Sequence, residues 1–208
     1  MTIVKSIDSI VEWLSENVCS QIAFKLPQDD CNDEGCDVRY VNPASFPLYV
    51  PGKEKLPPSV EAPVPSVCVQ LMEGQDDLLE KTRQLQIRLC LACWNPGRHE
   101  NEVFCPRKKS NAPLGYSYYR SEDVKQMYIR SMDGWKDVFN FVDLTLQKLE
   151  SAEYIAGHRL VKESGIRYGV FTEEGTVWDY YPYWHSWIGF TLEVGTTPKT
   201  PQIYKNLL

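Results

Sequence analysis

The stretch Thr82–Trp94, TRQLQIRLCLACW, alternates between apolar and polar side chains over most of its length. Four aliphatic residues fall on one side of the extended chain and three polar residues on the other: Leu85, Ile87, Leu89 and Leu91 against Gln84, Gln86 and Arg88. Successive side chains of a β-strand point to opposite faces, so this period of two predicts a strand of a sheet with one buried and one solvated face.

Further apolar runs on either side supply partner strands. Val67–Met72 predicts a strand that a polar connection, Glu73–Glu80, joins to Thr82–Trp94 as a wide hairpin. Trp184–Val194 predicts a closing strand, and shorter β-like runs precede it at Arg159–Lys162 and Ile166–Phe171. We expect a mainly antiparallel sheet of about four strands.

Two segments have helical rather than strand-like spacing of their apolar residues. Residues 3–18 predict an amphipathic helix that begins after Thr2. Residues 132–154 predict a long helix, started by Ser131 or Asp133 and stopped near Gly157. Its expected core stripe is Trp135, Val138, Phe139, Val142, Leu146 and Leu149. Both helices are expected on one face of the sheet.

The chain is therefore expected to form one α+β domain over residues 1–208. Three irregular segments interrupt it: a proline-rich loop at 27–65, a polar excursion at 98–130 and a C-terminal arm at 195–208. Loops of this length are uncommon inside a domain unless they have a function.

Composition and charge exclude several functional classes. The formal net charge of −6 argues against a protein that follows a nucleic-acid backbone, because phosphate binding needs concentrated Lys and Arg. No apolar run approaches the roughly 20 residues that a bilayer requires. The N-terminal segment is interrupted by Asp8, Glu12 and Glu16, unlike a signal peptide. We expect a soluble protein in a reducing compartment, with its seven cysteines as free thiols.

A metal site is the first chemical hypothesis. Cys90 and Cys93 have CxxC spacing, and further candidate ligands flank them: Cys31 and Cys36 upstream, His99 and Cys105 downstream. Inside an alternating strand, however, residues three apart lie on opposite faces and cannot ligate one ion together. Buried cysteine is a common small apolar residue, so we expect packing thiols and no metal.

Catalysis is the second hypothesis. The three histidines, His99, His158 and His185, have no neighbouring nucleophile motif such as Gly-x-Ser-x-Gly. No glycine-rich phosphate-binding motif occurs either. We expect no catalytic residue and no cofactor, with an enzyme or zinc-binding module of unknown type as the rival interpretation.

An aromatic cluster over residues 178–187, WDYYPYWHSW, is the most distinctive local feature. It has two interpretations that stay open: core packing at a proline-fixed corner, or a subunit contact, where Tyr and Trp dominate binding energies. Trp184 shares the core face with Ile188, whereas Trp187 faces the other way. The candidate interface residues are Trp187, Tyr181, Tyr183, Gln84, Gln86 and Arg88.

The order of these motifs resembles a known family. A helix precedes a hairpin whose strands include VCVQLMEG at 67–74 and LQIRL at 85–89. A helix beginning GWKDV at 134–138 follows, and the chain closes on YPYW at 181–184 and IGFTLEV at 188–194. In this the chain resembles lambda-type tail terminator proteins, also called tail-completion proteins, of long-tailed phages and prophages.

The resemblance implies a non-enzymatic virion protein without cofactor or catalytic residues. Such a subunit forms a homo-oligomeric ring, often a hexamer, at the head-proximal end of the tail tube, where it meets the tube and the head connector. It assembles in the cytoplasm of the bacterial host and remains in the virion tail. A head–tail neck (joining) protein is the alternative that the same element order allows.

Overall fold

Helix α1 covers Ile3–Asn17 in the computed structural model, which describes residues 2–27, 39–99, 107–108, 116–117, 128–130, 132–177 and 180–195. The Oγ1 of Thr2 accepts a hydrogen bond from the backbone N–H of Lys5 at 3.3 Å, which satisfies one of the open donors at the helix start. Both the predicted helix and its N-cap are confirmed.

The described strands are short except for three, β4, β5 and β15. In chain order the strands are β1 (Phe24–Lys25), β2 (Tyr40–Val41), β3 (Ala44–Pro47), β4 (Ser66–Asp77), β5 (Thr82–Trp94), β6 (Gly97–His99), β7 (Arg107–Lys108), β8 (Tyr116–Ser117), β9 (Tyr128–Arg130), β10 (Tyr154–Ile155), β11 (His158–Leu160), β12 (Arg167–Gly169), β13 (Thr172–Glu173), β14 (Thr176–Val177) and β15 (Tyr183–Gly195).

The main sheet has seven strands in the order β10-β11-β15-β5-β4-β3, with β12 also paired to β15 beside β11. Strand β5 is central, antiparallel to β4 on one side and to β15 on the other. Its pairing with β15 is continuous from Tyr183↔Trp94 to Gly195↔Thr82. We name the Trp94 end of the sheet its base and the Thr82 end its tip.

The α+β class and the mainly antiparallel sheet are confirmed, and the number of strands is corrected. The sheet has seven strands rather than about four, because short edge strands extend it on both sides. One of them, β3, is parallel to β4, with Ala44 opposite Ser66. Glu73–Asp77 continues strand β4 instead of forming a connection, past a β-bulge between Leu71 and Glu73.

Helix α2 covers Trp135–Ser151, shorter than predicted at both ends. Its N-cap is Gly134, which makes no side-chain capping bond, so the predicted cap Asp133 does not start it; Ser131 lies outside the described residues. The buried face also differs from the predicted stripe, since it consists of Val138, Phe141, Val142, Thr145 and Leu149. Trp135, a predicted core residue, is instead 46% exposed.

Both helices lie on one face of the main sheet, as predicted. Helix α1 contacts β3 and β4, and α2 contacts β5 and β15. The inner face of the sheet meets them with fully buried aliphatic side chains: Val67, Val69, Leu85, Leu89, Leu91, Ile188 and Leu192. Phe141 of α2 packs on Phe24 of β1, with ring centroids 5.3 Å apart.

The three predicted irregular segments are only partly described. Residues 39–65 of the proline-rich loop contain β2, β3 and a 3-10 turn at Lys53–Lys55, so this part is more regular than predicted. The two ends of the 98–130 excursion pair with each other, as strands β6 and β9. The rest of that excursion lies outside the described residues, except for the paired strands β7 and β8. Residues 28–38 of the proline-rich loop and the arm beyond Gly195 also lie outside them.

Phe141→Ala is expected to lower the free energy of unfolding by about 3–5 kcal/mol, because Phe141 is fully buried between α2 and the sheet. Phe139→Ala should cost clearly less, since Phe139 only borders the core and packs edge-on against the exposed Trp135. Chemical denaturation of both variants measures this. An equal or larger loss for Phe139→Ala would contradict the observed helix face.

Candidate functional site

The face of the sheet opposite the helices is polar towards its tip. Residues paired across the three long strands share a face, so the register defines rows of neighbouring side chains. Three rows lie on this second face: Gln75, Gln84 and Glu193; Glu73, Gln86 and Thr191; and Gln70, Arg88 and Gly189. We name this set the polar face. It combines hydrogen-bond donors and hydrogen-bond acceptors, and it has little net charge.

The base of the same face is covered. Trp94 and Ala92 of β5 and Ser66 of β4 are all buried there, and Tyr180 lies edge-on against His185. The second face is therefore solvated only towards the tip, which corrects the prediction of a free face along the whole strand. The Oγ of Ser66 has no hydrogen-bond partner within the part of the chain that the structure describes.

Trp187 marks the border between the covered base and the polar face. Its indole N–H donates to the backbone carbonyl of Val170 at 3.1 Å, and its ring lies against Gly169 of β12. The guanidinium of Arg88 lies 5.7 Å from the ring centroid, within cation–π range. Trp187 is thus half-buried and held by contacts within the chain.

A buried polar cluster closes the base of the sheet next to α2. Asn95, which directly follows β5, accepts a hydrogen bond from the Nζ of Lys25 at 2.9 Å through its side-chain oxygen. The same amide group donates to the carboxylate of Asp137 at 2.7 Å. Lys25 also donates to the carbonyl of Gly97 at 2.5 Å. The cluster joins β1, the end of β5 and the first turn of α2.

Burial shifts the pKa values of both charged members of this cluster. Desolvation raises the pKa of Asp137 above its ordinary value, while the hydrogen bond from Asn95 and the charge of Lys25 oppose the shift. Desolvation also lowers the pKa of Lys25, opposed by the charge of Asp137. Each ion makes burial of the other less costly, as expected for a buried pair that is hydrogen-bonded.

The turn before β15 is hydrogen-bonded to the residues that follow β5. The backbone N–H of Asn95 donates to the carbonyl of Pro182 at 3.0 Å, and the hydroxyl of Tyr181 donates to the carbonyl of Pro96 at 2.5 Å. The indole N–H of Trp184 donates to the carbonyl of Asn95 at 3.0 Å. At this corner Tyr181 and Trp184 of the aromatic cluster therefore form their hydrogen bonds within the chain.

The CxxC pair is divided by the sheet, as the alternation of β5 predicts. Cys90 faces away from the helices, opposite Cys68, and its thiol donates to the side-chain oxygen of Gln70 at 3.3 Å. Cys93 lies on the helix side and is buried. Burial raises the pKa of Cys68 to about 12 and that of Cys93 well above its usual range, which disfavours the reactive thiolate form.

Cys31, Cys36 and Cys105 lie outside the described residues. Within the ranges that are described, no group of three or more His, Cys, Asp or Glu side chains is placed to hold a metal ion.

The described histidine side chains lie apart from each other and have different surroundings. His158 is fully buried, and its Nδ1 lies 3.2 Å from the carbonyl oxygen of Ile155 and 2.9 Å from that of Ala156. Two carbonyl neighbours require that Nδ1 carries the proton and donates. Burial at the base of the sheet lowers the pKa of His185.

The six predicted interface residues divide into two groups. Gln84 and Gln86 are exposed on the polar face, Arg88 is half-buried beside them, and Tyr183 is 40% exposed at the base. Trp187 and Tyr181 use their polar atoms within the chain, as described above. A subunit contact through any of the six stays a prediction.

Sequence reasoning missed two features of this structure. The Lys25–Asn95–Asp137 cluster joins residues that are far apart in the chain and carry no local signal. The other is the projecting end of the β4–β5 hairpin, where Leu78 and Leu79 are 86% and 91% exposed. In the sequence, the available sign of this exposed apolar pair was its position inside a polar connection.

No protein-family model matches this chain, and neither does any curated protein. The helices among the described residues include none with the length and apolar character needed to cross a membrane.

The raised pKa of Asp137 has a defined effect on stability. A carboxyl group whose pKa is higher in the folded than in the unfolded chain stabilises the fold below its unfolded pKa of about 3.9, and this contribution is lost as the pH rises through the folded pKa. The free energy of unfolding of the wild type minus that of Asp137→Asn should therefore fall as the pH rises from 3.5. A tenfold difference in proton affinity between the folded and the unfolded chain corresponds to a fall of about 1.4 kcal/mol. A free-energy difference that grows with pH would show that Lys25 dominates the site.

Trp187→Phe should keep the ring packing but leave the carbonyl of Val170 without its donor, at a cost of about 0.5–1.5 kcal/mol. Trp187→Ala should cost more, because the packing against Gly169 and Arg88 is lost as well. Thermal and denaturant unfolding measure both. Unchanged stability of the alanine variant would show that the contacts of Trp187 within the chain do not stabilise the fold.

Proposed function

We propose that this chain is a non-enzymatic structural subunit of a long-tailed phage or prophage, a tail terminator or tail-completion protein. In this role it forms a homo-oligomeric ring, such as a hexamer, at the head-proximal end of the tail tube. Its partners are further copies of itself, the tube and the head connector. The observation that carries the proposal is the polar face together with the hairpin that extends it.

The chemistry of the polar face suits a contact that forms only during assembly. Gln84, Gln86 and Thr191 offer uncharged donors and acceptors, and Glu193 is held by Arg159 at 2.9 Å. A surface of this kind remains hydrated when it is unpaired and still gives directional hydrogen bonds when it is covered. Because the strands beneath it are fixed on a packed core, little ordering is required on association.

The element order is the second feature that supports the proposal. Helix α1, the β4–β5 hairpin, helix α2 and the closing strand β15 follow each other in the order on which the resemblance to tail terminators rests. The fold alone does not define a function, since unrelated activities share α+β plans. The proposal therefore depends on assembly experiments.

Gln86→Trp is expected to block ring formation and the capping of purified tail tubes. Gln86 is exposed in the middle of the polar face, so a bulky ring there obstructs a partner without entering the core. The free energy of unfolding should change by less than about 0.5 kcal/mol. Light scattering and electron microscopy of tubes, with tube length as the readout, measure the effect.

Asp143→Trp is the matched control, because Asp143 is exposed on α2, on the opposite side of the sheet. Equal assembly by wild type and Gln86→Trp would show that the polar face is not part of the subunit contact. Binding to the head connector without any effect on tube length would favour the neck protein instead. One zinc per chain in elemental analysis would favour the rival zinc-binding module.

A further inference from the structure

The β4–β5 hairpin, residues 73–84, ends at the tip of the sheet and is named the finger; its turn, residues 78–81, extends beyond the last pairs of the sheet, in which Thr82 lies between Asp77 and Gly195. Every residue of β4 from Glu73 to Asp77 is exposed. At its end, Leu78 and Leu79 are 86% and 91% exposed, the highest values among the large apolar side chains described. Two adjacent leucines in water at the end of a finger form a small apolar contact surface.

Side-chain hydrogen bonds hold the turn that carries these leucines. The carboxylate Oδ1 of Asp77 accepts from the backbone N–H groups of Leu79 at 2.8 Å and Glu80 at 2.9 Å. Just below, Asp76 and Arg83 lie opposite each other and form an ion pair. The backbone of the turn is thus held in a defined conformation, which reduces the backbone entropy lost when the leucines bind.

Three exposed apolar residues lie on the β3 side of the same sheet. They are Leu48, Tyr49 and Met72, which are 51%, 70% and 48% exposed, and we name this set the edge patch. The backbone N–H of Leu48 donates to the carbonyl of Val69 at 2.8 Å, which places the patch beside β4. Leu48 has a positive φ of 61°, a conformation that is costly for a leucine.

The finger cannot reach the edge patch of its own chain. Met72, the member of the patch on β4, lies six residues before Leu78, which corresponds to about 20 Å along an extended strand. The chain segments that contain the tip leucines and two of the three patch residues also have opposite net charge. Residues 73–84 contain Glu73, Asp76, Asp77 and Glu80 against Lys81 and Arg83, a net −2, whereas residues 48–56 contain Lys53 and Lys55 against Glu54, a net +1.

We propose that the Leu78–Leu79 tip of one subunit docks on the edge patch of a second copy of this chain. The inference rests on the proposed ring and adds a second contact to that of the polar face. Because tip and patch are different surfaces, the contact is heterologous: each subunit gives its tip to one neighbour and receives the tip of another. Such contacts close into a ring when the rotation between neighbours allows it.

Three variants test this docking in sedimentation and light-scattering experiments over a range of concentrations, with and without tail tubes. The tip variant is Leu78→Ser with Leu79→Ser, and the patch variant is Tyr49→Ser with Met72→Ser. The control is Val177→Ser, since Val177 is 55% exposed on a different hairpin. Each tip leucine is expected to contribute roughly tenfold to a hundredfold to the dissociation constant. All three should keep the wild-type unfolding transition.

Mixing the variants gives the sharpest result. The tip variant still offers a patch and the patch variant still offers a tip, so the mixture should form dimers with one intact contact, while each variant alone stays monomeric. Rings of the tip variant that match those of the wild type would overturn the inference and leave the proposed function standing. Tip variants that self-associate normally but no longer bind tubes would also overturn it, because the leucines would then contact the tube. A wild-type chain that forms no ring, in concentrated solution or on tubes, would refute the proposed function itself.

Discussion

The continuous pairing between β5 and β15 is the constraint on which the rest of the structure depends. Thirteen residues of β15 pair with thirteen of β5, although about one hundred positions separate them in the chain. In each strand, alternate side chains are buried beneath the helices, so a shift by one residue would expose one set and bury the other. This pairing fixes which residues form the core and which form the polar face. It also sets the distance between the base and the tip.

Strands β5 and β15 and helix α1 could be predicted because their signals are local. The alternation of Thr82–Trp94 gives the observed bounds of β5, and Thr2 caps α1 as expected. The far end of β4 was missed because Glu73–Asp77 is polar throughout. That composition resembles a loop, but it also fits a strand that lies in water on both faces.

The start of α2 could not be predicted from the sequence for a different reason. Ser131 and Asp133 are reasonable capping residues, yet the helix begins after Gly134, where a Cβ would lie 2.5 Å from the carbonyl oxygen of Asn95 and 2.2 Å from the indole nitrogen of Trp184. Close packing of the helix end against this corner decides the start, and only glycine leaves enough space. The Lys25 cluster beside it depends on the same long-range packing. None of these contacts has a periodic or motif-like signature.

The base and the tip of the sheet have different roles. At the base, the hydrogen bonds of Asn95, the indole of Trp184 and the hydroxyl of Tyr181 are all used within the chain, so this end contributes to stability. At the tip, strand β4 has an outer edge beyond Val69 to which no described strand is paired. An open edge can pair with any exposed strand, and the bulge after Leu71 together with the carboxylates of Glu73 and Asp76 disfavours such pairing. The same finger therefore disfavours one kind of contact and allows another. Its edge disfavours backbone pairing with a further strand, whereas its exposed leucines leave side-chain docking at the tip possible.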